Sequence, residues 1–166
     1  MLRTKVATGE LPPVEERLPK EPLIIAPVEK IGKYGGTLRY AEVQPYSLWS
    51  LQTLRASGLF RYNMDGGMYF VDIAKFYSFS KDLKTLTIEL REGHKWSDGQ
   101  PFTVDDILFW WEDIKTNKDI YPVMDLFWKP GGEPAVFKKI SPTKLEITFA
   151  VPYPVVMDLL GRTCFS

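Results

Sequence analysis

The sequence predicts an α+β fold: a mostly antiparallel sheet with a few packed helices. Three stretches carry that expectation. In residues 85–91, Leu86, Ile88 and Leu90 alternate with Thr87 and Glu89, the period-two pattern of a half-buried strand. Residues 136–140 and 144–150 flank Ser141-Pro142-Thr143, a connection so short that the two segments pair as a hairpin. Leu145, Ile147 and Phe149 fall on one side of the second segment, Glu146 and Thr148 on the other. From Thr103 the period changes: Val104, Ile107, Leu108, Trp111 and Ile114 form one apolar stripe at helical spacing.

The remaining elements follow in order. Gly35-Gly36 opens a strand over 37–43, and Leu48, Leu51 and Leu54 suggest a helix ending near Gly58. Phe60-Arg61-Tyr62 reads as a short strand, and Asp65-Gly66 as a turn before a strand over 68–73. Residues 76–80 read as another strand, turning through 81–84 into the strand at 85. Thr103 is a natural helix N-cap, with Asp106 at the capping-box position and Asp105 beside it at the positive end of the helix dipole. Phe109 and Trp110 widen the apolar stripe, which predicts a helix covered on much of its surface. Residues 117–134, with three prolines and two glycines, read as a long loop with one helical turn at most. Pro154 starts a last helix over 155–160, closed by Gly161.

Composition shifts near residue 34. Five of the thirteen prolines precede it, and every aromatic residue lies at or after Tyr34. Segment 1–32 cannot build a core of its own, so it is expected to be extended, polyproline-like or disordered unless it docks on the body, with Leu23-Ile24-Ile25 as a docking point. Residues 33–58 then form a first strand and helix, and 59–166 the main domain. Twenty-one basic residues balance twenty-one acidic ones, so the net basic footprint of a nucleic-acid binder is missing. The single Cys164 excludes an internal disulfide, and one histidine supports no metal site. No run approaches the roughly eighteen apolar residues of a membrane span. The start, MLRTKVATGELPP, lacks the apolar core of an export signal.

The stretch LREGHKWSDGQPFT (90–103) places Ser97 and Asp98 beside the only histidine, His94. A hydrolytic triad needs the imidazole between nucleophile and carboxylate. Here residues 94 and 97 start on opposite sides of an extended segment, and no G-x-S-x-G elbow exists. The stretch reads instead as a strand end, a tight turn and a helix start, with Asp98 holding turn amides, Gly99 taking a positive φ and Trp96 plugging the core. Asp105 and Asp106 are explained by capping rather than by glycosidase chemistry. Phe109-Trp110-Trp111 fits core packing better than a sugar-stacking platform. No phosphate-binding glycine motif occurs, and no cofactor is expected.

The order of these segments resembles the extracytoplasmic solute-binding proteins of ABC importers, the family 5 peptide-, nickel- and oligosaccharide-binding class. The matching residues are Gly35-Gly36-Thr37-Leu38, Gly58 to Tyr62, Asp72-Ile73-Ala74-Lys75, Ser80 to Leu86, and LREGHKWSDGQPFTVDDILFWWE over 90–112. The resemblance covers residues 33–160. It implies the amino-terminal domain of a periplasmic-binding-protein type II-like fold, truncated relative to a much longer family member. It also implies a non-catalytic protein, exported to the periplasm or cell surface, that delivers an oligopeptide, or alternatively an oligosaccharide, to the membrane subunits of a permease. By position in the family, the loop after the first strand borders the ligand cleft and holds Glu42, Val43, Gln44, Tyr46 and Trp49. A carboxylate for an ammonium group and aromatics for stacking suit that place. Surface left bare by truncation predicts self-association. Two other readings stay open: an independent carbohydrate-binding or scaffolding domain, and a small hydrolase centred on His94.

Overall fold

The computed structural model describes residues 2–27, 29–33, 35–37, 39, 58–62 and 69–162. Its centre is a four-stranded antiparallel sheet of β3 (Ala74–Phe79), β4 (Thr85–Leu90), β5 (Val136–Ser141) and β6 (Lys144–Thr148), in the order β3-β4-β6-β5. A separate pair joins β1 (Phe60–Tyr62) to β2 (Tyr69–Val71), Phe60 opposite Val71. The alternation in β4 does what its pattern requires: Leu86, Ile88 and Leu90 are buried while Thr87 and Glu89 are half-buried. Ile88 stands opposite Leu145 and Leu86 opposite Ile147, so both strands turn the same apolar face inward. Each such fully buried side chain contributes about 1.5–3 kcal/mol relative to exposure. Thr85 and Thr148, opposite each other on the outer face, hydrogen-bond at 3.2 Å.

Two short helices lie in the amino-terminal segment, α1 (Leu2–Ala7) and α2 (Val14–Arg17). α3 (Val104–Phe109) packs on β5 and buries Val104 and Ile107 against the sheet. It continues without a break into a π-helical turn, Trp110–Lys115. α4 (Val156–Arg162) packs on β1 through Val156, Met157 and Leu160 and runs through Gly161 instead of ending there. Between α3 and β5 lie two short 3-10 turns, Leu126–Trp128 and Pro130–Gly132, where one helical turn at most was expected.

Two exposures differ from the sequence pattern. Phe109 is 58% exposed, because burial follows the 104–107–111 line and leaves residue 109 on the far side. Trp96 is 50% exposed and seals the edge of the corner rather than plugging the core. Segment 1–32 is also not uniformly extended, since it holds α1 and α2. The strand expected over 37–43 and the helix expected over 47–59 lie mostly outside the described residues, as does the Asp65-Gly66 turn; Gly58 and Leu59 are described and are not helical.

Candidate functional site

The corner at 90–103 is built almost wholly from backbone. Phe102 N–H donates to the His94 carbonyl at 2.8 Å, Trp96 N–H to Gln100 O at 2.8 Å and Gly99 N–H to Trp96 O at 3.0 Å. Lys95 and Pro101 form an isolated bridge across this miniature hairpin. The Asp98 carboxylate accepts from Gln100 N–H at 2.9 Å, and Gly99 sits at φ +91°, where a side chain would be strained. Thr103 then caps α3: its hydroxyl accepts from Asp105 N–H at 3.2 Å, and Asp106 returns the bond by accepting from Thr103 N–H at 2.7 Å. Asp106 also accepts from the Trp96 indole N–H at 3.1 Å, which ties the turn to the helix it leads into. Val104 N–H donates to Pro142 O at 2.9 Å and docks the corner on the β5–β6 hairpin.

The amino-terminal segment straps across this corner. Lys20 N–H donates to Glu92 O at 3.0 Å, Arg91 Nη1 to Glu21 O at 2.9 Å and Lys95 Nζ to Glu16 O at 2.9 Å. Lys20 pairs with Glu92, and Lys75 with Glu21 at 2.7 Å. The hydrogen bond and charge of Lys75 hold the Glu21 carboxyl below its ordinary value, and Glu21 raises Lys75 in turn. The bonds that dock the segment come from residues 16–21; of the expected docking point, Leu23 is half-buried, whereas Ile24 and Ile25 are 88% and 68% exposed. Between strap and corner opens a shallow cleft of about 560 Å³, bordered by Glu16, Leu18, Lys20 and Lys95.

The triad reading of this corner has no geometry behind it. His94 Nδ1 is buried without a hydrogen-bond partner among the described residues, while Ser97 is exposed and Asp98 is committed to its turn amide. His94 stacks edge-on against Phe102, with ring centroids 6.1 Å apart. Burial pushes its pKa below the ordinary 6.5; the nearby Asp72 opposes this and Arg91 adds to it. Among the described residues no group of three His, Cys, Asp or Glu is placed to hold a metal ion.

The aromatic run 109–111 is divided in its use. Trp111 is buried and stacks on Phe137 with centroids 4.3 Å apart and planes 18° apart. Trp128 closes the cluster at 5.5 Å from Trp111, and Trp110 is half-buried beside both. A sugar platform of adjacent tryptophan faces is thereby excluded for Trp111. The apolar stripe of the helix leaves Lys115 outside it with Asp105 and Glu112, yet Lys115 is only 5% exposed. Its ammonium lies 4.1 Å from the Tyr121 ring centroid, 5.6 Å from that of Trp110 and 3.4 Å from Asp125. A lysine in the last turn of an amphipathic helix normally reads as solvated, so the π-turn that rotates it inward is the missing signal. Glu42, Val43, Gln44, Tyr46 and Trp49 lie outside the described residues.

The antiparallel α+β arrangement of the described residues is that of the periplasmic-binding-protein type II-like fold. Residues 71–166 match the family described as bacterial extracellular solute-binding proteins, family 5 Middle, and the chain belongs to that family. A periplasmic alpha-galactoside-binding protein of Rhizobium meliloti (strain 1021) is 34% identical over 169 residues, covering 90% of this chain and 24% of the relative. The solved structure of an oligopeptide-binding protein, OppA, is 34% identical and superposes with a TM-score of 0.88 over 99% of this chain and 26% of that one. The periplasmic binding protein MelB of Agrobacterium fabrum C58, solved with stachyose, is 27% identical with a TM-score of 0.75, covering 96% of this chain and 27% of its own. The chain thus spans about a quarter of the length of the relatives it matches.

Proposed function

We propose that this chain forms the amino-terminal part of the solute-binding component of an ABC importer, working outside the cytoplasmic membrane and without catalysis. It helps frame a cleft that takes an oligopeptide or related solute and presents it to the permease's membrane subunits. The observation that carries this reading is the 0.88 superposition of nearly the whole chain on an oligopeptide-binding protein at 34% identity. An oligosaccharide is the second reading, favoured by 34% identity over 90% of the chain to an alpha-galactoside-binding protein.

In this proposal residues 1–32 are a strap, 33–58 belong to or border the first ligand lobe, and 59–166 form the extra amino-terminal domain beside it. The loop carrying Glu42, Val43, Gln44, Tyr46 and Trp49 supplies the cleft wall: a carboxylate for an ammonium or hydroxyl group, backbone polar groups, and rings for apolar or sugar faces. Closure of a cleft on its solute is how a permease distinguishes loaded from empty protein. The isolated chain, lacking the rest of that cleft, binds solute weakly and self-associates through uncovered apolar surface. Calorimetric titration of the full-length polypeptide carrying this chain, with short peptides and with stachyose, tests the proposal. Saturable binding of either class is expected, and the class that binds selects between the two readings. Failure of both sinks it.

A further inference from the structure

Residues 16–21 lie across the 90–103 corner without being buried in it. Val14 and Leu18, the apolar side chains beside them, are 46% and 47% exposed, and no residue from 12 to 22 is buried. The receiving side is fixed in place by the fold. Lys75 stands on β3, and Lys95 is held in the bridge to Pro101. Arg91, just after β4, donates its Nε to Asp72 O at 2.8 Å. Among the contacts that hold the segment, only Lys20 N–H to Glu92 O is free of formal charge. The others are Arg91 to Glu21 O, Lys95 to Glu16 O, and the ion pairs Lys20–Glu92 and Lys75–Glu21.

We infer that Lys20-Glu21 is a charge-keyed latch, which seats residues 16–21 on the corner in one register at low ionic strength and releases them at high ionic strength while the sheet stays folded. Two neighbours of opposite charge each meet a partner of opposite charge. A shift of one residue along the corner would set Lys20 toward Lys75 or Glu21 toward Glu92, like charge against like. That pattern specifies register, which scattered surface pairs do not. The latch is weak by construction. Lys20 and Glu92 are 69% and 67% exposed, and ion pairs open to water contribute little each. Salt weakens them further, since the screening length falls from about 10 Å at 0.1 M to about 3 Å at 1 M. Docking must also offset the chain entropy lost on ordering the segment. The sheet answers to a different force: Leu86, Ile88, Leu145 and Ile147 are fully buried, and apolar burial has no charge to screen.

Amide hydrogen exchange of the full 166-residue chain tests the latch, with the Lys20 amide reporting the strap and the Ile88 amide the sheet. Protection of Lys20 should fall about fivefold or more between about 0.05 M and 1 M sodium chloride, while that of Ile88 stays in place. Glu21→Lys should cost the Lys20 amide a similar factor at low salt. Combining Glu21→Lys with Lys75→Glu should restore both the protection and its salt dependence, a rescue that a merely structural role for either residue would not give. Protection of Lys20 that survives 1 M salt would overturn the ionic latch. Loss of Lys20 and Ile88 protection together would also overturn it, because the strap would then unfold only with the sheet. A Lys20 amide unprotected even at low salt overturns docking outright. Failure of the charge swap to restore protection overturns the keying. Protection that falls on dilution overturns a latch within one chain and gives the seat to a second copy.

Discussion

Removing the Thr103–Asp106 capping box tests whether the 90–103 corner is architecture. Thr103→Ala deletes one acceptor for the first helical amides, a change that costs about 1 kcal/mol. Asp106→Ala deletes the acceptor for Thr103 N–H at 2.7 Å and for the Trp96 indole N–H at 3.1 Å. Hydrogen bonds to a charged group are worth about 1.5–3 kcal/mol each when desolvated. Trp96 is half exposed, so water recovers part of that loss and about 2 kcal/mol in total is the better figure. The two side chains also touch each other at 3.3 Å and cap the same turn. The double variant should therefore fall short of the sum by about 0.5–1 kcal/mol. At roughly 2–4 °C per kcal/mol for a chain of this size, the double variant melts about 4–10 °C lower. Urea denaturation followed by far-UV circular dichroism gives the cycle, and Trp96 emission should shift red in Asp106→Ala alone. Either single change within about 0.3 kcal/mol of wild type, or strict additivity, would refute the reciprocal cap.

Three further predictions follow from burial and backbone. His94 has its folded pKa depressed, so the unfolded chain takes up the proton first; stability is full above pH 6.5 and falls as pH drops toward the folded pKa. His94→Phe should remove that slope from a pH series of urea midpoints, and an unchanged slope would place its origin elsewhere. Ile147→Ala, at a fully buried position, should cost about 2–5 kcal/mol, whereas Val136→Ala, at 62% exposure, should stay within about 0.5 kcal/mol. Gly131 and Gly99 both lie at positive φ, yet only at Gly131 would a Cβ meet a neighbour, Val151 Cγ1 at 2.9 Å. Gly131→Ala should therefore lower the melting temperature more than Gly99→Ala; the reverse order would mean the turn at 131 relaxes freely.

Local physics made much of this fold readable before any coordinates. The alternation of β4, the Ser141-Pro142-Thr143 hairpin and the Thr103 cap each depend on neighbours within a few residues, and each formed as the pattern requires. The strap was not readable, because its bonds join backbone and charged groups some seventy residues apart and leave no periodic trace. Lys115 was hidden for a related reason: the π-turn shifts the helical phase, and the residue that should face water turns onto Tyr121 and Trp110. Trp96 misled because an indole can satisfy its N–H at the surface, here on Asp106, while its ring covers Phe102 at 5.1 Å. Family was legible only through segment order, since the residue types of the 90–103 corner are used in turn and cap bonds.

Solute recognition is proposed to belong to the loop carrying Glu42 and Trp49, with the His94 corner as support. It is tested most directly by comparing solute dissociation constants of four variants of the full-length polypeptide: Glu42→Gln, Trp49→Ala, His94→Ala and Ser97→Ala. The first pair should weaken binding by about tenfold or more, the 1.4 kcal/mol of one good contact, while the second pair stays within about twofold. Unchanged binding in the first pair with loss in the second would contradict the account.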